Sequence, residues 1–125
     1  MNIINCTPHA VQILSPSCCE FSSLSHSFQL TDEIKIVREI QPSGICPRCK
    51  QEERELDPLD GIPVVGISFG EIEGLPEEKE GVYLIVSALV ATAGRKQGRR
   101  DLLIPSRLVR NYEGKIMGCL ALAAE

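Results

Sequence analysis

Hydrophobic residues in this chain recur at every second position or in short unbroken runs, and both patterns predict strands. Ile3-Ile4 and Ala10-Val11 with Ile13-Leu14 flank a Thr7-Pro8-His9 step. That arrangement predicts two short strands, residues 2–6 and 10–14, around a turn, because proline removes an N–H and extends its predecessor. Ile34, Ile36 and Ile40 alternate with polar neighbours and predict a third strand, followed by a turn at Pro42-Ser43-Gly44. Residues 45–56 are highly charged with little period and predict an exposed, twisted strand. Asp60-Gly61 is a hairpin signal. After it, Val65, Ile67 and Phe69 alternate with Gly66, Ser68 and Gly70 until Gly74-Leu75-Pro76 breaks the run.

The second half is more apolar. Residues 82–86 are apolar on both faces, which predicts a central strand. Ser87 predicts the N-cap of a short helix over residues 88–93, closed by Gly94. Leu102-Leu103-Ile104 predicts a buried strand ended by Pro105. Residues 108–111 and 115–120 predict a hairpin around Tyr112-Glu113-Gly114. The pattern amounts to an α+β fold, mostly antiparallel sheet with seven or eight strands and about one short helix. One domain over residues 1–125 is expected at this length. Residues 15–27, with six serines and the pair Cys18-Cys19, predict a loop or hairpin tip at the periphery.

Composition and charge narrow the classes. Apolar content of 43% and charged content of 24% are globular values and exclude wholesale disorder. The longest nearly apolar stretch, residues 82–93, is too short to span a bilayer, so no membrane association is expected. The start, Met-Asn-Ile-Ile-Asn-Cys, shows no basic n-region or apolar h-region, and a cytoplasmic location is expected. The six cysteines are then expected as thiols rather than a disulfide framework. A net charge of −4 argues against binding long nucleic acid. The charge is uneven, however. Arg95, Lys96, Arg99, Arg100, Arg107 and Arg110 cluster around one acid, Asp101, which suits a compact anion.

Candidate chemistry is sparse. Cys46-Pro47-Arg48-Cys49 has the spacing of half a zinc site, but Cys18, Cys19, His9 and His26 supply no second chelating pair, so no metal or other cofactor is expected. Arg99, Arg100 and Arg110 have two readings: planar donors to phosphate oxygens, or cations that complement a helix C-terminus and its solvated loop. Glu71 shares a face with Val65, Ile67 and Phe69 if the strand is regular, unless a bulge beside Gly70 turns it outward. Thr7 and His9 are short polar groups that Pro8 would orient toward an anion or a neighbouring loop. No P-loop, dinucleotide fingerprint or nucleophile elbow is present.

Five segments together carry a resemblance: the opening N-x-T-P-H-A-V, the turn-strand D-G-I-P-V-V, the block F-G-E-I-E-G-L-P, the run V-Y-L-I-V-S-A-L-V-A and the closing L-V-R-N-Y-E-G-K-I-M-G-C. As a set they resemble small proteins of bacteria, prophages and tailed phages that begin with an N-L-T-P-H-A-like motif. Residues 15–31 depart from that pattern as an insertion. The Cys46/Cys49 pair also departs from it, whereas an arginine at the position of Arg48 matches it. The resemblance implies a small, non-catalytic accessory protein, of the class that sequesters immune nucleotide signals in the host cytoplasm.

The expectation is therefore a homo-oligomeric protein that binds a small anionic ligand, of nucleotide type, without turning it over. Thr7, His9, Arg48, Glu71, Arg99, Arg100 and Arg110 are its candidate ligand-binding residues. One alternative is an enzyme acting on a phosphorylated or nucleotide substrate, with His9 and Glu71 as acid and base. Another is a structural or interaction protein without a ligand.

Overall fold

The computed structural model describes residues 2–24 and 26–124; Ser25, in the serine-rich segment, lies outside the described residues, as do Met1 and Glu125. Among the described residues the chain forms β1 (Asn2–Asn5), β2 (Val11–Leu14), a 3₁₀ turn (Pro16–Cys18), β3 (Cys19–Ser22), β4 (Ser27–Leu30), β5 (Ile36–Ile40), β6 (Arg48–Leu59), β7 (Ile62–Glu73), β8 (Val82–Ile85), α1 (Ala88–Lys96), β9 (Leu102–Arg110) and β10 (Ile116–Ala124). This is the expected α+β architecture, with antiparallel ladders holding most of the paired positions. Among the described residues no helix is long and apolar enough to cross a membrane.

The main sheet runs β1-β8-β9-β10-β2-β5. β1, β8 and β9 are parallel neighbours, and β10 returns antiparallel to β9. β9 is the spine. Its first residues pair with β8 and its last with β4, which carries β3 as a hairpin. β8 shows why its run is apolar throughout. Leu84 packs with Cys6, Val86, Val90 and Leu102 under α1, while Ile85 packs with Val11, Ile40 and Cys119 on the opposite face. At the β10–β2 contact, a Cβ on Gly118 would lie 2.8 Å from Leu14 Cγ and 2.9 Å from the Gln12 carbonyl, so only glycine allows this approach.

Several boundaries differ from the local signals. Gly94 does not end the helix; it is buried inside α1, where a Cβ would meet Leu102 Cδ1. The helix ends at Gly98, with φ +87°, in a Schellman arrangement. There Arg99 N–H donates to the Gly94 carbonyl and Gly98 N–H to the Arg95 carbonyl. Pro105 does not end a strand either. It pairs with Leu122 inside β9, at a stretch where β8 has left that edge and β4 has not yet joined it. A missing N–H on an uncovered edge disturbs no ladder, and the two short strands expected there merge into one.

The serine-rich segment is less peripheral than its composition predicts. Its described part forms the 3₁₀ turn and the β3/β4 hairpin, which helps bring the strand number to ten among the described residues. Cys18 and Cys19 are buried against Leu14 and Val109 and complete a third cluster of the core. Replacing residues 15–27 by a short flexible turn would therefore open that cluster.

β6 and β7 form a separate two-stranded ribbon, each strand twelve residues long. Asp60-Gly61, with φ 49° and 75°, makes the expected tight turn between them. The ribbon packs on α1 through its base: Cys49 and Ile72 join the cluster under the helix.

Candidate functional site

The turn at Thr7-Pro8-His9 is organised by a residue that the pattern of the sequence does not single out. Asn5, at the end of β1, is 1% exposed. Its Nδ2 donates to the carbonyls of His9, at 2.7 Å, and Ile40, at 3.0 Å. Its Oδ1 accepts from the Thr7 N–H at 3.0 Å and from the Thr7 hydroxyl at 2.6 Å. The Asn5 carbonyl in turn accepts from the N–H and hydroxyl of Ser43. One buried amide thus fixes the turn after β1 against the end of β5 and the Pro42-Ser43 turn. The available signal was an Asn two residues before Thr-Pro, the spacing of an Asx turn.

β1 and β8 are parallel, so the chain leaves both at the same end of the sheet. From β1 it enters the turn with Thr7 and His9. From β8 it passes Val86 and Ser87 into α1. Between these exits and β9, β10 and β2 lies a cleft of about 370 Å³. Its walls are apolar, made by Val11, Val86, Ile104, Pro105, Leu108 and Ile116. Its polar lining side chains are Thr7, His9, Gln12 and Ser87, and the first residue of α1, Ala88, completes the rim. In open α/β sheets a crevice at the carboxyl ends of parallel strands is the usual ligand position, and this cleft lies at the carboxyl ends of the parallel pair β1 and β8.

The rim has a definite electrostatic character. Ser87 caps α1 by accepting from the Val90 N–H. The N–H groups of Ala88 and Leu89 have no acceptor within the helix, so this rim carries the positive end of the helix dipole. Among the described residues no aspartate or glutamate lines the cleft. Cys119, in its floor, is a poor nucleophile, because burial raises its pKa and the neutral thiol donates to the Gln12 carbonyl.

The other expected site residues lie elsewhere. Arg99 is not a free phosphate donor. Its Nε and one terminal nitrogen form a two-pronged pair with Asp101 at 3.0 and 2.8 Å, and that terminal nitrogen also reaches the Pro76 carbonyl at 2.8 Å. The hydrogen bonds to Asp101 raise the guanidinium pKa above its ordinary value. Asp101 is 4% exposed, so this is a buried structural pair tying the α1 exit to the 74–76 turn. Arg100 is exposed and, with Arg95, Gly98 and Arg99, borders an open basin of about 500 Å³. Arg110 donates to the Gly114 carbonyl and closes the β9–β10 turn. The merged strand β9 lies between it and Arg100 and spans roughly 26 Å from Leu102 to Arg110, taking about 3.3 Å per residue. The three arginines therefore cannot face one small ligand.

Arg48 and Glu71 sit at the base of the ribbon. Ile72 pairs with Cys49 and Phe69 with Gln51, so Gly70 and Glu71 together oppose Lys50. This is the bulge anticipated beside Gly70. It moves Glu71 off the apolar face and puts Ile72 there. Glu71 does not line the cleft that holds Thr7 and His9, and the acid/base pair of the enzymatic reading is not assembled there. Cys46 is exposed, and Cys49 Sγ points to the Leu89 carbonyl at 3.8 Å. Among the described residues no three His, Cys, Asp or Glu side chains come together as a metal site. Comparison of the chain with protein-family models, curated proteins and solved structures finds no match.

Proposed function

We propose that this protein binds and holds, without turning it over, a small ligand with a flat apolar part and an anionic end. A nucleotide has that chemistry. The supporting observation is the cleft itself: apolar walls sized for one base or similar group, with a rim formed by the N-terminus of α1 beside His9 and, among the described residues, no lining carboxylate. Apolar walls favour burial of a flat ring, and free amide groups at a helix N-terminus favour a negative group. Thr7 supports the rim through Asn5 rather than by direct contact, since its hydroxyl is already engaged. Turnover is disfavoured because, among the described residues, no carboxylate lines the cleft beside His9, and Cys119 is held as a neutral thiol. In this reading the protein is a phage-type accessory protein that sequesters a nucleotide signal in the cytoplasm.

The test is incubation with a mixture of linear and cyclic nucleotides, removal of the excess, release by heat and chromatography. An intact nucleotide recovered in stoichiometric amount supports the reading. An altered one would establish an enzyme, and none at all a protein without this ligand. Ala88→Glu sharpens the experiment. An acid in the first turn complements the helix dipole, so the fold is retained, yet it opposes an anion at the rim. Retention of the nucleotide should fall at least tenfold. Unchanged retention by a folded Ala88→Glu variant would remove the cleft from consideration.

A further inference from the structure

The β6/β7 ribbon is an unusual object for a small protein. It is twelve residues long on each strand, and it packs on α1 at its base. An isolated two-stranded hairpin is marginal in water, and a long exposed one with apolar side chains invites a partner. Leu59 is 67% exposed, Ile62 64% and Ile67 51%. Its outer part, from Glu52 to Ile67, carries five acids, Glu52, Glu53, Glu55, Asp57 and Asp60, against one base, Arg54. The whole ribbon, residues 48–73, has seven acids and three bases and so accounts for the entire net charge of −4.

The complementary surface lies on the same chain. Arg95, Lys96 and Arg100, at and just beyond the C-terminal end of α1, are exposed, and among the described residues none of them forms an ion pair. Arg95 and Arg100 border the open basin of about 500 Å³. We infer that the ribbon is an arm that docks onto this basic surface of a second copy of the chain, and that two copies exchange arms about a twofold axis.

Three observations choose this occupant. Opposite charges match the acidic arm to the basic surface. Edge-to-edge pairing of two ribbons is opposed by like charge, and also by Pro58 on β6 and Pro63 on β7, which lack the N–H a new ladder requires. Area fits two arms better than one. The outer arm is about 30 Å long and about 10 Å wide, so two reciprocal contacts bury about 1,200 Å², the lower end of stable interfaces, and a single contact about half of that. The apolar side chains near the tip are covered in the same contact, while the charges set its register.

Sedimentation velocity across a concentration series, with two charge-reversed variants, tests the arrangement. The wild-type chain should sediment as a dimer, more weakly at high salt. Glu53→Arg with Glu55→Arg, and separately Arg95→Glu with Arg100→Glu, should each raise the dissociation constant at least tenfold. An equimolar mixture of the two should restore a dimer, because the arginines introduced at positions 53 and 55 then face the glutamates introduced at positions 95 and 100. Both sets of positions are exposed, and melting curves verify that each variant is folded. If either variant does not fold, carbodiimide coupling of wild-type chains in isotopically light and heavy forms replaces the swap. Crosslinks from Lys96 to the outer-arm carboxylates Glu53, Glu55 and Asp57 should then join light to heavy chains. A monomeric wild type, variants that still dimerise normally, a mixture of folded variants that stays monomeric, or crosslinks confined to single chains would each overturn the inference.

Discussion

Replacing Asn5 by alanine removes the amide that ties three segments together, and its cost follows from the bonds it makes. The Ile40 carbonyl loses its donor and the Thr7 N–H its acceptor, while the His9 carbonyl and the Thr7 hydroxyl keep only each other as partners. A neutral hydrogen bond contributes about 1 kcal/mol net, and a buried partner left unsatisfied costs about 1–3 kcal/mol. The Ile40 bond is fully buried, whereas the other three are part-buried and water can partly replace them at the cleft rim. The expected destabilisation is therefore about 3–5 kcal/mol, a large part of the stability of a domain of this size. At roughly 4 °C per kcal/mol this lowers Tm by about 12–20 °C. Asn5→Asp is the sharper probe. It keeps an oxygen facing Thr7 but turns a second oxygen toward the carbonyls of His9 and Ile40, and it buries a charge. Its loss should equal or exceed that of alanine at neutral pH and ease in acid, where the protonated carboxyl regains one donor. Urea unfolding followed by circular dichroism at pH 7 and pH 4 measures both variants. A loss below about 1 kcal/mol for Asn5→Ala, or an Asn5→Asp variant as stable as wild type at pH 7, would refute this account of the turn.

Two further expectations follow from the same structure. Asp101→Ala leaves the largely buried Arg99 guanidinium without its partner and should cost about 3–5 kcal/mol in urea unfolding, whereas exposed Arg100→Ala should stay within about 0.5 kcal/mol; equal effects would contradict the division between structural and free arginines. Burial raises the pKa of Cys6, Cys19 and Cys119, so the unfolded chain releases these thiol protons at lower pH than the folded one. Under reducing conditions stability is fully present below about pH 8.5, where unfolded thiols begin to ionise, and falls as pH rises toward the folded values; a urea midpoint unchanged between pH 8 and pH 10 would argue against it.

Local chemistry was legible in the sequence wherever a residue's own neighbours decide its conformation. The double-faced run of β8, the Asp60-Gly61 turn, the Ser87 cap and the bulge beside Gly70 all follow from side-chain period, from φ preference or from a short polar side chain next to a helix start. The exposed character of β6 was equally plain, because a charged run without a period has no face to bury. Tertiary structure decided the rest. Gly94 and Gly98 are both plausible helix stops by type, and the contact of Gly94 with Leu102 selects the second. Cys18 and Cys19 sit among serines, yet the β3/β4 hairpin carries them into the core because β4 pairs with the end of β9. Arg99, Arg100 and Arg110 form one cluster in sequence but three situations in space: one consumed by Asp101, one free, and one at the far end of a strand. The cleft exists only because β1 and β8, almost eighty residues apart, run parallel and release Thr7-His9 and Ser87 at the same edge. Strand order and register are set by pairings between distant segments, and no local pattern encodes which segments those are.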